Sequence, residues 1–214
     1  MPTIDEIEIA DDPARWEALG FSVADGACQL AGVRVLLTGE QEGRKGVASW
    51  SLRGLERTSL DGLPTTISEA PPRPPALPHA NGAVGIDHVV AISPFFERSV
   101  AALRDAGLDL RRIREEPTPA GAPRQAFFRL GREILELVAE PEDVVEQRGG
   151  PQRAAYFWGL AILVDDIDET VAAMAPHAKE PRAAVQPGRR ISTLSRSAGL
   201  SFPLALMSRG EGAV

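Results

Sequence analysis

Two stretches of this chain run through the same order of elements, and that internal repetition limits its fold more than any other feature. Gly85-Ile86-Asp87-His88-Val89-Val90 reads as the opening strand of a unit that Arg132-Glu133-Ile134-Leu135-Glu136-Leu137-Val138 closes. A similar unit follows over residues 155 to 208, with Gly159 where His88 stands and Ala205 where Glu136 stands. Repetition of strand, helix and three strands predicts an α+β fold built from like units.

Apolar spacing and turn residues supply the detail. Ile86 to Ile92 is a strand-length apolar run that Pro94 ends, because proline cannot extend a ladder. Val100, Leu103 and Ala106 recur at helical spacing over Ser99 to Ala106, and Gly107 terminates that helix. Asp109 to Glu115 alternates, and Gln125 to Leu130 with Glu133 to Val138 predicts a hairpin around Gly131. The second unit reads as a strand over Trp158 to Val164, Asp166 capping a helix over Thr170 to Met174, and strands over Arg190 to Ser195 and Phe202 to Met207. Pro71 to Pro78 should be extended and opens a connector over residues 71 to 83. Residues 140 to 151, acidic and then glycine-rich, form a second break, and residues 209 to 214 a tail.

Composition excludes several classes of function. With 30 acidic against 23 basic residues the net charge is -7, which argues against a general binder of nucleic-acid backbones. No apolar run approaches the roughly 18 residues of a bilayer span, and the acidic start Met1-Pro2-Thr3-Ile4-Asp5-Glu6 lacks a signal peptide's pattern, so no membrane partner and a soluble, cytoplasmic protein are expected. Cys28 is the one cysteine, so neither an intrachain disulfide nor a cysteine cluster for zinc is available, and it reads as a small buried apolar residue.

Ile86-Asp87-His88-Val89-Val90, Ala106-Gly107-Leu108, Phe127-Phe128-Arg129-Leu130-Gly131 and Ile134-Leu135-Glu136-Leu137-Val138 together resemble the vicinal oxygen chelate superfamily, the group of glyoxalases, bleomycin-resistance proteins and extradiol dioxygenases. The resemblance covers residues 84 to 208, as modules over 84 to 140 and 155 to 208. It implies modules paired so that their sheets curl around a shared cleft, with metal ligands on the first and last strand of each. His88 and Glu136 fall on ligand positions, whereas Gly159 and Ala205 leave both positions of the next module empty. That departure speaks against a lactoylglutathione lyase, whose pattern draws ligands from both modules.

Residues 1 to 70 carry a fainter, shortened copy of such a pair. Thr3 to Ile9 aligns with the strand of His88, placing Glu6 in its register, and Trp16 to Phe21 resembles the end of the module helix. Leu30 to Leu37 echoes the closing hairpin with Leu37 at the place of Glu136, and Ala48 to Arg53 resembles the strand at Trp158.

An imidazole with a carboxylate suits a divalent ion such as Zn²⁺, Fe²⁺, Mn²⁺ or Ni²⁺. Catalytic zinc sites use about three protein ligands, so Glu6, a second subunit or substrate oxygens would complete the set begun by His88 and Glu136. Alternation places the Glu136 side chain opposite Leu135 and Leu137, a geometry that fits a cleft or plain solvent exposure. A second cluster is the turn at Pro187-Gly188, where Gln186 and one of Arg189 and Arg190 would meet a carboxylate or phosphate of a ligand. Phe127, Phe157 and Trp158 would wall an apolar pocket or simply be core; His79, after the prolines, and His177, at a helix end, carry less promise. The functional expectation is a small-molecule ligand in the cleft and a metal-dependent lyase, isomerase or dioxygenase in which Glu136 or Glu6 moves a proton. The alternatives are a metal-free binding or resistance-type protein and an interaction protein with a vestigial cleft. A homodimer is expected, since modules of this fold complete clefts between chains.

Overall fold

The computed structural model describes residues 1–40, 43–74, 77–118 and 121–210. In chain order the strands and helices are β1 (Thr3–Ile9), α1 (Pro13–Ala18), β2 (Val23–Ala24), β3 (Ala27–Leu30), β4 (Val33–Leu37), β5 (Val47–Arg53), β6 (Thr65–Ser68), β7 (Ala83–Ser93), α2 (Phe96–Asp105), β8 (Asp109–Arg114), β9 (Gln125–Leu130), β10 (Glu133–Ala139), α3 (Glu142–Gln147), β11 (Tyr156–Val164), α4 (Ile167–Ala173), β12 (Arg182–Ala183), β13 (Arg190–Thr193) and β14 (Leu204–Ser208). They build two mixed sheets, ordered β2-β3-β4-β1-β5-β6 and β12-β13-β14-β11-β7-β10-β9-β8. The α+β class of paired modules is therefore the observed one.

In each module the opening and closing strands run parallel. Strand β7 pairs with β10, β11 with β14, β1 with β4 and β5 with β6. In three of these modules a helix follows the first strand, and a hairpin brings the last strand back beside it. Between β5 and β6 the helix and the middle strands are missing, so residues 47–68 form a module reduced to its two central strands.

One compact unit comprises Met1–Asp5, Ser49–Pro71 and His88–Trp158. Its β10 shows why the strand forms: Leu135 and Leu137 are fully buried, Ile134, Glu136 and Val138 alternate with them, and Val89, Ala91, Ala126 and Phe128 complete the same apolar layer. Gly131 turns the β9–β10 hairpin at φ 71, where a side chain would also meet Thr3 at 2.9 Å. Helix α2 lays Leu103 into the core, and Gly107 at φ 90 lets the chain leave the helix as its spacing predicts. Asp61 ties a loop to this helix: its carboxylate accepts from Arg98 Nε at 2.7 Å and from the Ser99 hydroxyl, while its carbonyl accepts from Ala155 N at 2.9 Å. The break over residues 140 to 151 contains α3, whose acidic first turn, Glu142 and Asp143, suits the positive end of a helix.

The second unit comprises Glu6–Ala48, Pro72–Asp87 and the chain from Gly159 onward. Trp16 is fully buried, stacked on Phe202 with centroids 6.5 Å apart and tilted against Phe21 at 4.8 Å. Asp166 caps α4 as expected, accepting from Asp168 N at 2.8 Å and Glu169 N at 3.1 Å. His79, at the end of the proline segment, accepts from Ser22 N at Nδ1 (2.9 Å) and donates from Nε2 to Gln29 O (3.0 Å). That pair of bonds demands the neutral imidazole, and burial lowers its pKa against the opposing pull of the Gln29 carbonyl. Cys28 is buried without a disulfide, and desolvation pushes its thiol to about 12. Pro75, Ala76 and the tail from Glu211 lie outside the described residues.

Candidate functional site

Strand β7 presents His88 and β10 presents Glu136 on the face opposite the apolar layer, and the two side chains converge. His88 Nε2 lies 3.4 Å from Glu136 Oε2, with only 13% and 15% of the two side chains exposed. The other carboxylate oxygen, Oε1, accepts a hydrogen bond from the Gln125 side-chain amide on β9. Parallel pairing sets this geometry: Ile134 is the partner of His88, so Glu136, two residues on, stands beside it on the same face. Phe127 is the direct partner of Glu136 across the hairpin, which puts its half-buried ring on that face too. Gln125 is the member of this group that sequence reasoning missed, although alternation from Phe127 in a predicted strand places it there.

A separation of 3.4 Å is long for a charge-assisted hydrogen bond, which closes to about 2.7–2.9 Å. Two donors each about 2.1 Å from a tetrahedral ion sit about 3.4 Å apart. His88 and Glu136 therefore fit two vertices of a metal site, and Gln125 holds the carboxylate as an outer hydrogen bond would. Among the described residues no group of three or more His, Cys, Asp and Glu side chains forms a ligand set.

The same register explains the other modules. Glu136 pairs with Val90, two residues beyond His88, and Ala205 pairs with Ala161, two beyond Gly159, so Gly159 and Ala205 are the true counterparts. A Cβ on Gly159 would fall 2.7 Å from the Pro203 carbonyl oxygen, so this position has no room for a ligand side chain. In the first module Glu6 keeps the place of His88, but Glu8 pairs with Leu36, which puts Leu36 and not Leu37 at the place of Glu136. Leu37 is buried on the opposite face, because a slip of one residue reverses a strand's sides. Glu6 belongs to the second compact unit, where Arg34 holds its Oε2 at 2.5 Å and Arg73 approaches to 3.9 Å.

The cluster at the Pro187-Gly188 turn is distributed onto carboxylates. Arg189 pairs with Asp87 and donates from Nε to Ser208 O at 2.9 Å, and Arg190 grips Asp168 through two bonds of 2.6 and 2.9 Å. Arg190 lowers the pKa of Asp168 through that contact. Gln186 is exposed, its carbonyl taking Arg189 N in the turn at 3.3 Å. Phe157 packs edge-on against Trp50 at 5.0 Å, while Trp158 is 47% exposed. His177 meets the Ser197 hydroxyl at 3.0 Å. Glu140, fully engaged by Arg153, Arg148 and Tyr156, is a buried structural carboxylate: burial raises its pKa, and those hydrogen bonds outweigh that effect and lower it. Among the described residues no helix is long and apolar enough to cross a membrane.

No protein-family model matches the chain, and no curated protein matches it significantly. Solved structures do. A mutant of 4-hydroxymandelate synthase from Streptomyces coelicolor aligns at 14% identity with a TM-score of 0.67, over 97% of this chain and 92% of that one. A xylose isomerase-like TIM barrel/4-hydroxyphenylpyruvate dioxygenase fusion protein aligns at 13% identity and TM-score 0.65, over 99% of this chain and 50% of the fusion protein. Methylmalonyl-CoA epimerase from Mycobacterium tuberculosis aligns at 16% identity and TM-score 0.50, over 61% of this chain and 91% of the epimerase. All three are members of the vicinal oxygen chelate superfamily, and the fold of this chain is the vicinal oxygen chelate fold.

Proposed function

We propose that this protein binds a small oxygen-rich molecule on the face that carries His88 and Glu136, with a divalent metal ion held by those two side chains. The observation that carries the reading is the 3.4 Å approach of His88 Nε2 to Glu136 Oε2 on a half-buried strand face. A bound ion would polarise a ligand oxygen or chelate two neighbouring oxygens. His88 supplies a neutral nitrogen donor and Glu136 a carboxylate. The Gln125 amide fixes the second oxygen of Glu136, which leaves Oε2 as the atom to bind or to take a proton from a ligand. Phe127, the cross-strand partner of Glu136, stands on the same face and offers an apolar surface beside the pair. The remaining coordination positions fall to ligand oxygens, water or a second copy of the chain in a homodimer.

Such a site serves a lyase, isomerase or dioxygenase of the glyoxalase-like kind. A metal-free receptor is the second reading, favoured by the lack of a third His, Cys, Asp or Glu beside the pair among the described residues. Elemental analysis of protein purified without chelator separates the two. The first reading expects about one equivalent of metal, lost in His88→Ala; a protein that stays empty after loading with Zn²⁺, Mn²⁺, Fe²⁺ and Ni²⁺ sinks it and leaves the second.

A further inference from the structure

Strand β8 brings arginines to the face of the candidate site by an irregularity in its pairing. Asp109 and Leu110 pair with Arg129 and Phe128, and after a register shift Arg112 and Arg114 pair with Phe127 and Gln125. With a regular ladder, Arg111 and Ile113 would have faced those positions. The extra residue instead sends Ile113 to the side of Ala126, in the apolar layer, and turns Arg112 and Arg114 to the side of Phe127, Gln125 and Glu136. Arg111 finds a carboxylate in Asp109 at 3.2 Å. Arg112 and Arg114 find none among the described residues, and the Arg112 guanidinium lies over the Phe127 ring, 5.1 Å from its centroid. In a chain of net charge -7, two guanidinium groups without carboxylates beside a half-buried site form a specific recognition feature rather than part of a general positive field.

The geometry points to an oxyanion subsite: Arg112 and Arg114 receive the carboxylate or phosphate of a ligand whose other oxygens reach His88 and Glu136. This rests on the proposed function for the His88 end only. Guanidinium forks bind either anion by paired charge-assisted hydrogen bonds. Strands β8 and β10 are separated by β9, so their backbones lie about 10 Å apart. The anion therefore sits several bonds away from the chelating oxygens, which selects an extended anionic metabolite over a compact acid that would chelate through its own carboxylate.

Isothermal titration of the full chain with succinate and with inorganic phosphate, in metal-free and zinc-loaded forms, tests the subsite. The wild type is expected to bind at least one probe in the metal-free form, and the stronger of the two tells a carboxylate ligand from a phosphate ester. The double variant Arg112→Gln, Arg114→Gln should lose about tenfold or more in that affinity, equivalent to about 1.4 kcal/mol, while keeping the wild-type metal content. Arg114→Lys, which keeps the charge and loses the fork, should show a smaller loss and serves if the double variant does not fold. His88→Ala should retain anion binding whatever its effect on metal, so the two proposals fail separately. Wild-type affinity for both probes in both arginine variants, no binding of either probe by the wild type, or loss of metal-free anion binding in His88→Ala overturns the subsite.

Discussion

The carbonyl oxygen of Pro203 lies 2.7 Å from where a side chain on Gly159 would begin, so the first strand of the last module cannot carry a ligand in its present packing. Real Cβ atoms do not approach a backbone oxygen so closely, and the oxygen is itself tied to Leu160 N at 3.2 Å. Gly159→His should lower stability by about 1–3 kcal/mol and add no metal equivalent. Thermal melting with metal analysis checks this; a variant as stable as the wild type would refute the steric account.

Gln125 holds Glu136 from the neighbouring strand. If the pair binds metal, Gln125→Ala should weaken that binding by about 10–100-fold, the usual cost of removing an outer hydrogen bond from a ligand. Competition with a chromogenic chelator measures it. Unchanged affinity in a folded variant would mean that Glu136 is positioned by its strand alone.

His79 links pH to stability. Its folded pKa lies below the ordinary 6.5, so below about pH 6.5 the unfolded chain takes up a proton before the folded one does. Stability contributed by the neutral imidazole is therefore present above that pH and lost as pH falls through the window down to the lowered folded value. Denaturant unfolding at pH 7.5 and 5.5 should show a drop that His79→Gln reduces. Equal drops in both proteins would assign the effect to other groups.

Cys28 should be chemically silent in the folded protein. Burial and a pKa of about 12 leave almost no thiolate at pH 8. A disulfide reagent is expected to label it only after unfolding, and rapid stoichiometric labelling of the native chain would contradict the buried position.

Contacts between residues far apart in the chain were the least legible in the sequence. Asp166 as a helix cap, Gly107 as a helix end and the hairpin at Gly131 were legible because each depends on neighbours within a few positions. Nothing near Arg189 or Arg190 in the chain announces their ion pairs: Arg189 meets Asp87, 102 positions away, and Arg190 meets Asp168. Helix α3 was hidden because six residues without a buried side chain leave no apolar period to read.

Alternation and turn chemistry, local consequences of backbone sterics, were enough to determine the module order, the faces of β10 and the matched places of His88, Glu136, Gly159 and Ala205. The hydrogen-bond ladder decided the rest. It alone placed Leu36 at the vacant position of the first module, set Gln125 beside Glu136 and turned Arg112 and Arg114 toward the site through the shift in β8. A strand's own sequence specifies which residues share a side; a one-residue slip against its neighbour decides what that side faces.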